Sequence, residues 1–371
     1  MRWSRCGRLR LVALMAFAMS VLTAGGAEAG SEHSRSQPRL TVMTQNLYLG
    51  SPLTPALDAS VDTRAEFVAA VARIYATALA TDFPTRAEAI ADTIAEKEPD
   101  LIGLQEVTDW VAVPTRAGAT PPSVDFLEVL VAELAERGLD YTAAAVVDNA
   151  DIGPVPLVAP QYGCGVAAAD CVVSLKDRDV ILVNEATRGL RWGGARSGRY
   201  RSQQSFSPPD SPPVSFARGW VTIEAKYRGE QLRFANTHLE VSNFTDVQEA
   251  QAREFLTGPA GSRSAVVAVG DFNSAADGST TDSYSILAGA LNDAWRVNGG
   301  GDPGYTSGQN GTLSNTSSEL DRRIDLIMTR SSWRTRMRAR EAHLVGDTPF
   351  QQDVPRWPSD HAGVVATLAL C

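Results

Sequence analysis

Four short stretches of the chain alternate apolar and polar residues and end in groups able to hold a cation or move a proton. They are Leu40-Val42-Thr44-Asn46, Ile102-Leu104-Glu106, Leu232-Phe234-Asn236-His238 and Val267-Val269-Asp271-Asn273. Side chains two apart on a strand share a face. Each stretch is therefore expected to be a strand that packs one face on a core and presents a polar group at its C-terminal tip. Burying several such groups together costs roughly a few kcal/mol each unless they are paired or metal-bound. The pattern points to one polar cleft at the rim of a β-sheet core, of the kind that holds a divalent cation and a phosphate.

Six motifs follow one another along the chain. They are Gln45-Asn46-Leu47, Leu104-Gln105-Glu106-Val107, Thr237-His238-Leu239, Gly270-Asp271-Phe272-Asn273, Arg323-Ile324-Asp325 and Ser359-Asp360-His361, the last within Trp357-Pro358-Ser359-Asp360-His361. In this order they resemble the endonuclease/exonuclease/phosphatase superfamily, with its deoxyribonuclease I-like fold, over most of the chain. The superfamily holds secreted deoxyribonucleases, AP endonucleases, bacterial sphingomyelinases and inositol polyphosphate phosphatases.

Glu106 is a hard anionic oxygen ligand suited to Mg²⁺, with Mn²⁺ or Ca²⁺ as substitutes. Asn46 is expected to add a neutral carbonyl oxygen beside it. A histidine that titrates near neutrality can take a proton from an attacking water, which makes His361 the candidate general base. The resemblance implies the remaining roles. Asp325 would orient the His361 ring, and Asp360 would be a metal or metal-water partner. Asp271 and Asn273 would position phosphate and water, and His238 would donate to a phosphate oxygen. The reaction implied is in-line attack of water on phosphorus, with the cation neutralising developing charge.

The substrate is less legible. Residues 186–217 show no periodicity and are expected to be a long loop. They carry Arg191 and Arg199 among several Arg, with Trp192 and Tyr200, a set that suits phosphate contact and base stacking. Arg191 and Arg199 are therefore expected at the substrate. A nuclease acting on nucleic acid ranks first. A sphingomyelinase-like or phospholipase C-like enzyme acting on a lipid headgroup ranks second, since Trp and Arg also suit a lipid interface. A phosphomonoesterase of inositol phosphates ranks third. A non-catalytic binding or toxin-like protein that keeps the fold is the reading of another class.

The elements that must position these groups read as follows. Thr63-Arg64-Ala65-Glu66 and Thr85-Arg86-Ala87-Glu88 have capping-box form, and each opens an Ala-rich amphipathic run. Further helices are expected near 123–137 and 282–292. Strands are expected at 39–47, 101–107, 141–147, 178–184, 218–227, 231–238, 265–269, 323–329 and 363–370. Mixed strands and helices with short connections indicate an α+β sandwich. The resemblance makes it a four-layer α/β sandwich, two packed, mostly antiparallel β-sheets flanked by helices.

Residues 1–29 read as a Sec-type signal peptide, with four Arg, an apolar Leu11–Thr23 and the cleavage site Ala27-Glu28-Ala29. Residues 30–38 read as a disordered linker and 39–371 as one domain, secreted and monomeric, with no membrane span. Loss of four Arg and Glu28 moves the formal net charge of −9 to −12. So acidic a surface opposes tight non-specific binding to polyanions, though not turnover at a local cation site. In an oxidising compartment Cys164 and Cys171 are the expected disulfide.

Overall fold

Register between strands explains how motifs spread over the whole chain reach one rim. The computed structural model describes residues 37–371 apart from 59, 166–169, 210–213, 352 and 354. The expected signal peptide and most of the linker lie outside the described residues. Pro38, at the end of that linker, already accepts a hydrogen bond from Leu370 N at 2.9 Å.

In chain order the strands are β1 (Arg39–Asn46), β2 (Leu101–Gln105), β3 (Asp109–Pro114), β4 (Val124–Asp125), β5 (Tyr141–Pro156), β6 (Cys171–Asn184), β7 (Leu190–Arg199) and β8 (Gln204–Phe206). They continue as β9 (Val214–Phe216), β10 (Gly219–Tyr227), β11 (Glu230–His238), β12 (Ala265–Asp271), β13 (Asn292–Asp293), β14 (Asp325–Arg330), β15 (Met337–Val345) and β16 (Gly363–Leu370). The helices are α1 (Thr54–Leu57), α2 (Arg64–Ala80), α3 (Phe83–Lys97), α4 (Phe126–Glu136), α5 (Thr245–Thr257) and α6 (Ser283–Ala288).

One sheet runs β15-β16-β1-β2-β6-β3-β4, with β5 also on β6, and the other runs β13-β14-β12-β11-β10-β7. Only β1–β2 and β11–β12 pair in parallel; the other pairs of both sheets are antiparallel. Leu40, Val42, Phe234, Val267 and Val269 meet in the layer between the sheets. The outer face of the first sheet packs on α2, α3 and α4 through Met43, Ile90, Ile102 and Leu130. Phe255 of α5 and Leu287 of α6 cover the second sheet. The result is the four-layer sandwich the sequence implies.

Local chemistry sets the helix starts. Thr63 and Glu66 form the expected capping box of α2. The second box does not act as one. α3 begins three residues earlier, after Asp82 in a left-handed conformation, and Thr85 Oγ1 donates instead to Asp82 Oδ2 at 2.7 Å. Cys164 and Cys171 form a disulfide with Cα atoms 5.4 Å apart. Among the described residues no helix is long and apolar enough to cross a membrane.

The expected 186–217 loop is corrected. Residues 190–199 form β7, paired along β10, and β8 and β9 form a separate hairpin. β7 is an edge strand rich in Gly and Arg. Its order comes from β10 rather than from an apolar face of its own, so no alternation marks it.

Asp125 carries two duties at the start of α4. Its Oδ1 accepts from Leu127 N at 2.8 Å and Glu128 N at 3.2 Å, and its carboxylate meets Arg178 at 2.6 Å. Asp125→Ala should cost about 2 kcal/mol of stability, and Asp125→Asn, which keeps the cap, about half that. Urea unfolding of the two variants beside the parent checks the ranking.

Candidate active site

Cross-strand register assembles the first row of groups. His238 stands opposite Asp271 in the β11–β12 pair, and Asp271 stands opposite Asp325 in the β12–β14 pair. Gly270 is required just before this row. At its φ of +149° a Cβ would fall 2.0 Å from Thr237 O, inside any allowed contact. Asn46 crosses from the other sheet, and its Nδ2 donates to Asp271 Oδ2 at 3.2 Å. His361 enters from the turn ahead of β16. Its Nδ1 lies 2.8 Å from Asp325 Oδ2 and 3.8 Å from Asp271 Oδ2, and its Nε2 lies 3.3 Å from Ser307 Oγ.

A carboxylate facing Nδ1 fixes the proton on that nitrogen and leaves Nε2 as the ring atom that exchanges protons. Burial works against charge on His361. The carboxylates of Asp325, Asp360 and Asp271 overcome it and hold the imidazolium form well above the usual histidine range. The ring is thereby a stronger base.

His238 is set the opposite way. Arg218 Nη1 lies 2.9 Å from His238 Nδ1. A guanidinium only donates, so Nδ1 is the acceptor and Nε2 carries the hydrogen. That Nε2 faces the Asp271 Oδ2 acceptor at 3.4 Å, while Asn273 Nδ2, 3.0 Å away, spends a hydrogen on Leu239 O. Burial first, then Arg218 and His361, push its pKa well below the ordinary value. His238 is thus disposed to stay neutral with Nε2–H as donor, while the His361 ring binds a proton more readily. Two histidines in one cleft are driven apart by their neighbours.

Glu106 reaches the cleft by a route the sequence hides. Ile102 and Leu104 face the helix layer, so simple alternation would send residue 106 there too. Glu106 instead adopts a φ of +53°, a left-handed turn that costs a non-glycine residue roughly 1–2 kcal/mol. The turn redirects its carboxylate, whose Oε2 accepts from Leu49 N at 2.7 Å.

Asn46 also departs from expectation. Its Oδ1 accepts from Tyr48 N at 2.8 Å, and only an oxygen can face that donor. Its NH₂ therefore faces the carboxylates of Asp271 and Glu106. Asn46 holds two acids in place here, rather than pointing a carbonyl oxygen at a cation.

Two groupings bear on cation binding. Asp271, Asp325 and His361 place ligand atoms within 4.8 Å of one another, but the His361–Asp325 contact already consumes Nδ1. Glu106 and Asp360 form a second pair of acids, close enough for the charge of Glu106 to act on Asp360. Burial and the Asp177 carboxylate raise Glu106. Asp360 is pushed up to about 7 by burial and by Glu106, against the pull of His361 and Arg86. Asp271 is pushed up to about 6 by burial and by Asp325. Asp325 Oδ1 and both oxygens of Asp179 are buried with no hydrogen-bond partner. Acids crowded to this degree, with hard oxygen donors, fit a divalent cation held by Glu106 and Asp360.

Several working residues escaped the sequence reading. Arg218 is buried among Glu240, Asp177, Glu106 and Asp179, which raise its pKa against the effect of burial. The signal available was a single Arg directly ahead of β10. Arg86 is 1% exposed and donates to the carbonyls of Thr81, Leu47 (2.6 Å), Tyr48 and Pro358 (2.9 Å). It ties the loop after β1 to the loop that carries Asp360 and His361.

The expected substrate arginines are displaced. Arg191 pairs with Lys226 at the end of β10 remote from the cleft, so it is corrected to a residue away from the site. Arg199 does lie at the cleft end, opposite Gly219, but its guanidinium donates to the carbonyls of Asp148 and Asn149.

A two-sheet sandwich with a cation-ready acid pair, a His–Asp base and a neutral histidine at one rim defines a class, the phosphoester hydrolases of this architecture. The chain belongs to the Endonuclease/Exonuclease/phosphatase family, whose pattern matches residues 43–361. No curated protein matches the sequence. Solved structures show the same fold at low identity. An endonuclease/exonuclease/phosphatase from Bacteroides vulgatus is 15% identical, with a TM-score of 0.53 over 90% of this chain and 100% of that one. A humanized D. rerio TDP2 is 16% identical, with a TM-score of 0.50 over 89% of this chain and 98% of that one. A Bacteroides thetaiotaomicron mannosyl-6-phosphatase is 17% identical, with a TM-score of 0.50 over 90% and 99%.

Replacement of Arg86 by Met should leave the carbonyls of Leu47, Tyr48 and Pro358 buried and unpaired. The cost should be about 3 kcal/mol or more, read as a fall in the denaturation midpoint.

Proposed function

We propose that the chain is a divalent-cation-dependent phosphodiester hydrolase in which His361 is the base and His238 the neutral donor. The observation that carries this reading is the 2.8 Å contact between His361 and Asp325, set beside the acids that fit a cation. Asp325 holds the ring so that Nε2 can take a proton from water as it attacks phosphorus. His238 Nε2–H and Asn273 are placed to hold non-bridging phosphate oxygens, and Arg218 keeps His238 in the donating tautomer. A bound Mg²⁺, or Mn²⁺ or Ca²⁺ in its place, would supply charge neutralisation at the phosphate, held by Glu106 and Asp360.

Nucleic acid is the first substrate class of this proposal. Support comes from a similar D. rerio TDP2 structure described as complexed with single strand DNA product, 15% identical with a TM-score of 0.50. Tyr305, 40% exposed and next to the Thr306 that bonds Asp325, is available for stacking at the rim. Lipid-type diesters are the second reading, favoured by an apolar pocket lined by Leu57, Phe67, Trp110 and Phe216, whose Trp110 donates to the same Leu49 that donates to Glu106. Export by the N-terminal segment remains part of the proposal; cleavage between Ala29 and Gly30, read by N-terminal sequencing of secreted protein, tests it.

Two variants test the chemistry. His361→Ala should lower kcat by about 10²–10⁴, or roughly 3–5 kcal/mol, on bis-p-nitrophenyl phosphate with the thermal midpoint kept; an unchanged rate removes His361 as base. Glu106→Gln should raise the Mg²⁺ concentration for half-maximal activity about 10-fold or more and weaken Mg²⁺ binding in calorimetry by a similar factor. Plasmid DNA, RNA and sphingomyelin offered in parallel identify the substrate class.

A further inference from the structure

Arginines gather at the end of the sandwich opposite the cleft. Residues 334–340 hold four Arg and no acid, in a chain whose formal net charge is −9. Arg336 and Cys371 exchange both backbone hydrogen bonds, and Arg338 stands opposite Ala369 in the β15–β16 pair. Ala369 in turn stands opposite Arg39 of β1. Residues opposite one another share a face, as do residues two apart on one strand. Arg336, Arg338 and Arg39 therefore project from one face, with the small side chain of Ala369 between the last two. All three arginines are exposed.

A trough of about 420 Å³ lies there, lined by Gln37, Arg336, Arg338, Arg340, Ala369 and Cys371 among others. Its lining holds no Asp or Glu, and three guanidiniums outnumber the one carboxylate that Cys371 can bring. Arg340 donates to Gln37 Oε1 at 2.8 Å, while Glu341, next in sequence, faces His343 at 4.0 Å. Just ahead of β15, a turn closed by Ser332 N on Thr335 O at 2.9 Å carries Trp333 and Arg334. The Arg334 guanidinium lies 4.4 Å from the centre of the Trp333 ring. The indole is still 79% exposed, more than any other large apolar side chain among the described residues.

Guanidinium forks pair with phosphates, and an open aromatic face takes a base. The combination suits single-stranded nucleic acid. A bilayer fits less well. The arginines line a concavity rather than a flat surface, and Trp333 is the one large apolar side chain exposed in this segment, where lying in an interface needs a whole apolar face. Seven residue steps of β1, about 23 Å, separate Arg39 from Asn46 at the cleft. No single phosphodiester reaches both places.

We infer that the arginine trough is an exosite, which holds a distal stretch of a single-stranded nucleic acid while another stretch lies in the cleft. The inference deepens the nucleic-acid reading and rests on it. A strand held at one place meets the other at a raised local concentration, so long strands gain affinity that short ones lack. At about 3.4 Å per nucleotide, about seven nucleotides cover the span directly, and more are needed to follow the surface.

Oligothymidylates of roughly 5 and roughly 40 nucleotides fall on either side of that limit. Their affinity for the full chain is read by fluorescence anisotropy in EDTA, where no strand is cut. The long strand should bind at least about 10-fold more tightly than the short one. Arg336→Gln and Arg338→Gln together should remove most of that gain. They should also lower the slope of log Kd against log salt by about 1.4, or about 0.7 per lost phosphate contact. Trp333→Ala should weaken the long strand about 5-fold or more. Hydrolysis of bis-p-nitrophenyl phosphate and the thermal midpoint should not change, since all three side chains are exposed and remote from the cleft. An enzyme inert on DNA whose length gain persists would defeat the nuclease reading while the trough kept its ligand. Variants that bind and cut long strands as the parent does overturn the exosite. So does loss of binding to phosphatidylglycerol vesicles in the variants with oligothymidylate binding unchanged, which would assign the trough to a lipid surface.

Discussion

Crowded burial of acids is the constraint on which the rest of the structure turns. Glu106, Asp177, Asp179, Glu240, Asp271, Asp325 and Asp360 stand around the cleft, while Arg86 and Arg218 are the fixed cations set against them and the His361 ring adds a charge when it takes a proton. An apolar protein interior does not tolerate such an excess without compensation. Each local device in the site reads as a response to it. Asn46 donates an amide hydrogen to Asp271, Leu49 gives its peptide N–H to Glu106, and Asp325 accepts from the His361 ring. What remains unbalanced is the attraction that draws a divalent cation in.

The same field separates the two histidines. Both are buried, and burial alone would leave both neutral. Acids surround one and a guanidinium touches the other, so one becomes a proton acceptor and the other a fixed donor. The division of labour is therefore a property of the neighbours rather than of the imidazoles. It also gives Arg218 a role distinct from touching phosphate, because without it His238 would be free to change tautomer.

Much of this was legible in the residues themselves. The strand tips at Asn46, His238 and Asp271 follow directly from alternation, and the parallel β1–β2 and β11–β12 pairs bring the tips to one end. Glu106 was found for a partly wrong reason. Its strand faces the helices, and only a left-handed turn, invisible to a period-2 pattern, swings it inward. β7 and β15 were missed because both lie at sheet edges, where half-exposed strands need no apolar face. Arg191 and Arg199 misled because composition carries no register: seven residues along one strand separate a cleft position from a remote one.

The pairing of β1 with β16 joins residues 39–44 to 364–369, and Arg86 fastens the loops that follow and precede those strands. A nascent polypeptide consequently has no assembled centre until β16 has left the ribosome. Truncated translation products would carry most of the scaffold but neither the base nor Asp360, and so would be inert. Contacts of such long sequence separation also slow folding, which leaves the unfinished chain dependent on protection while β1 and β16 find one another.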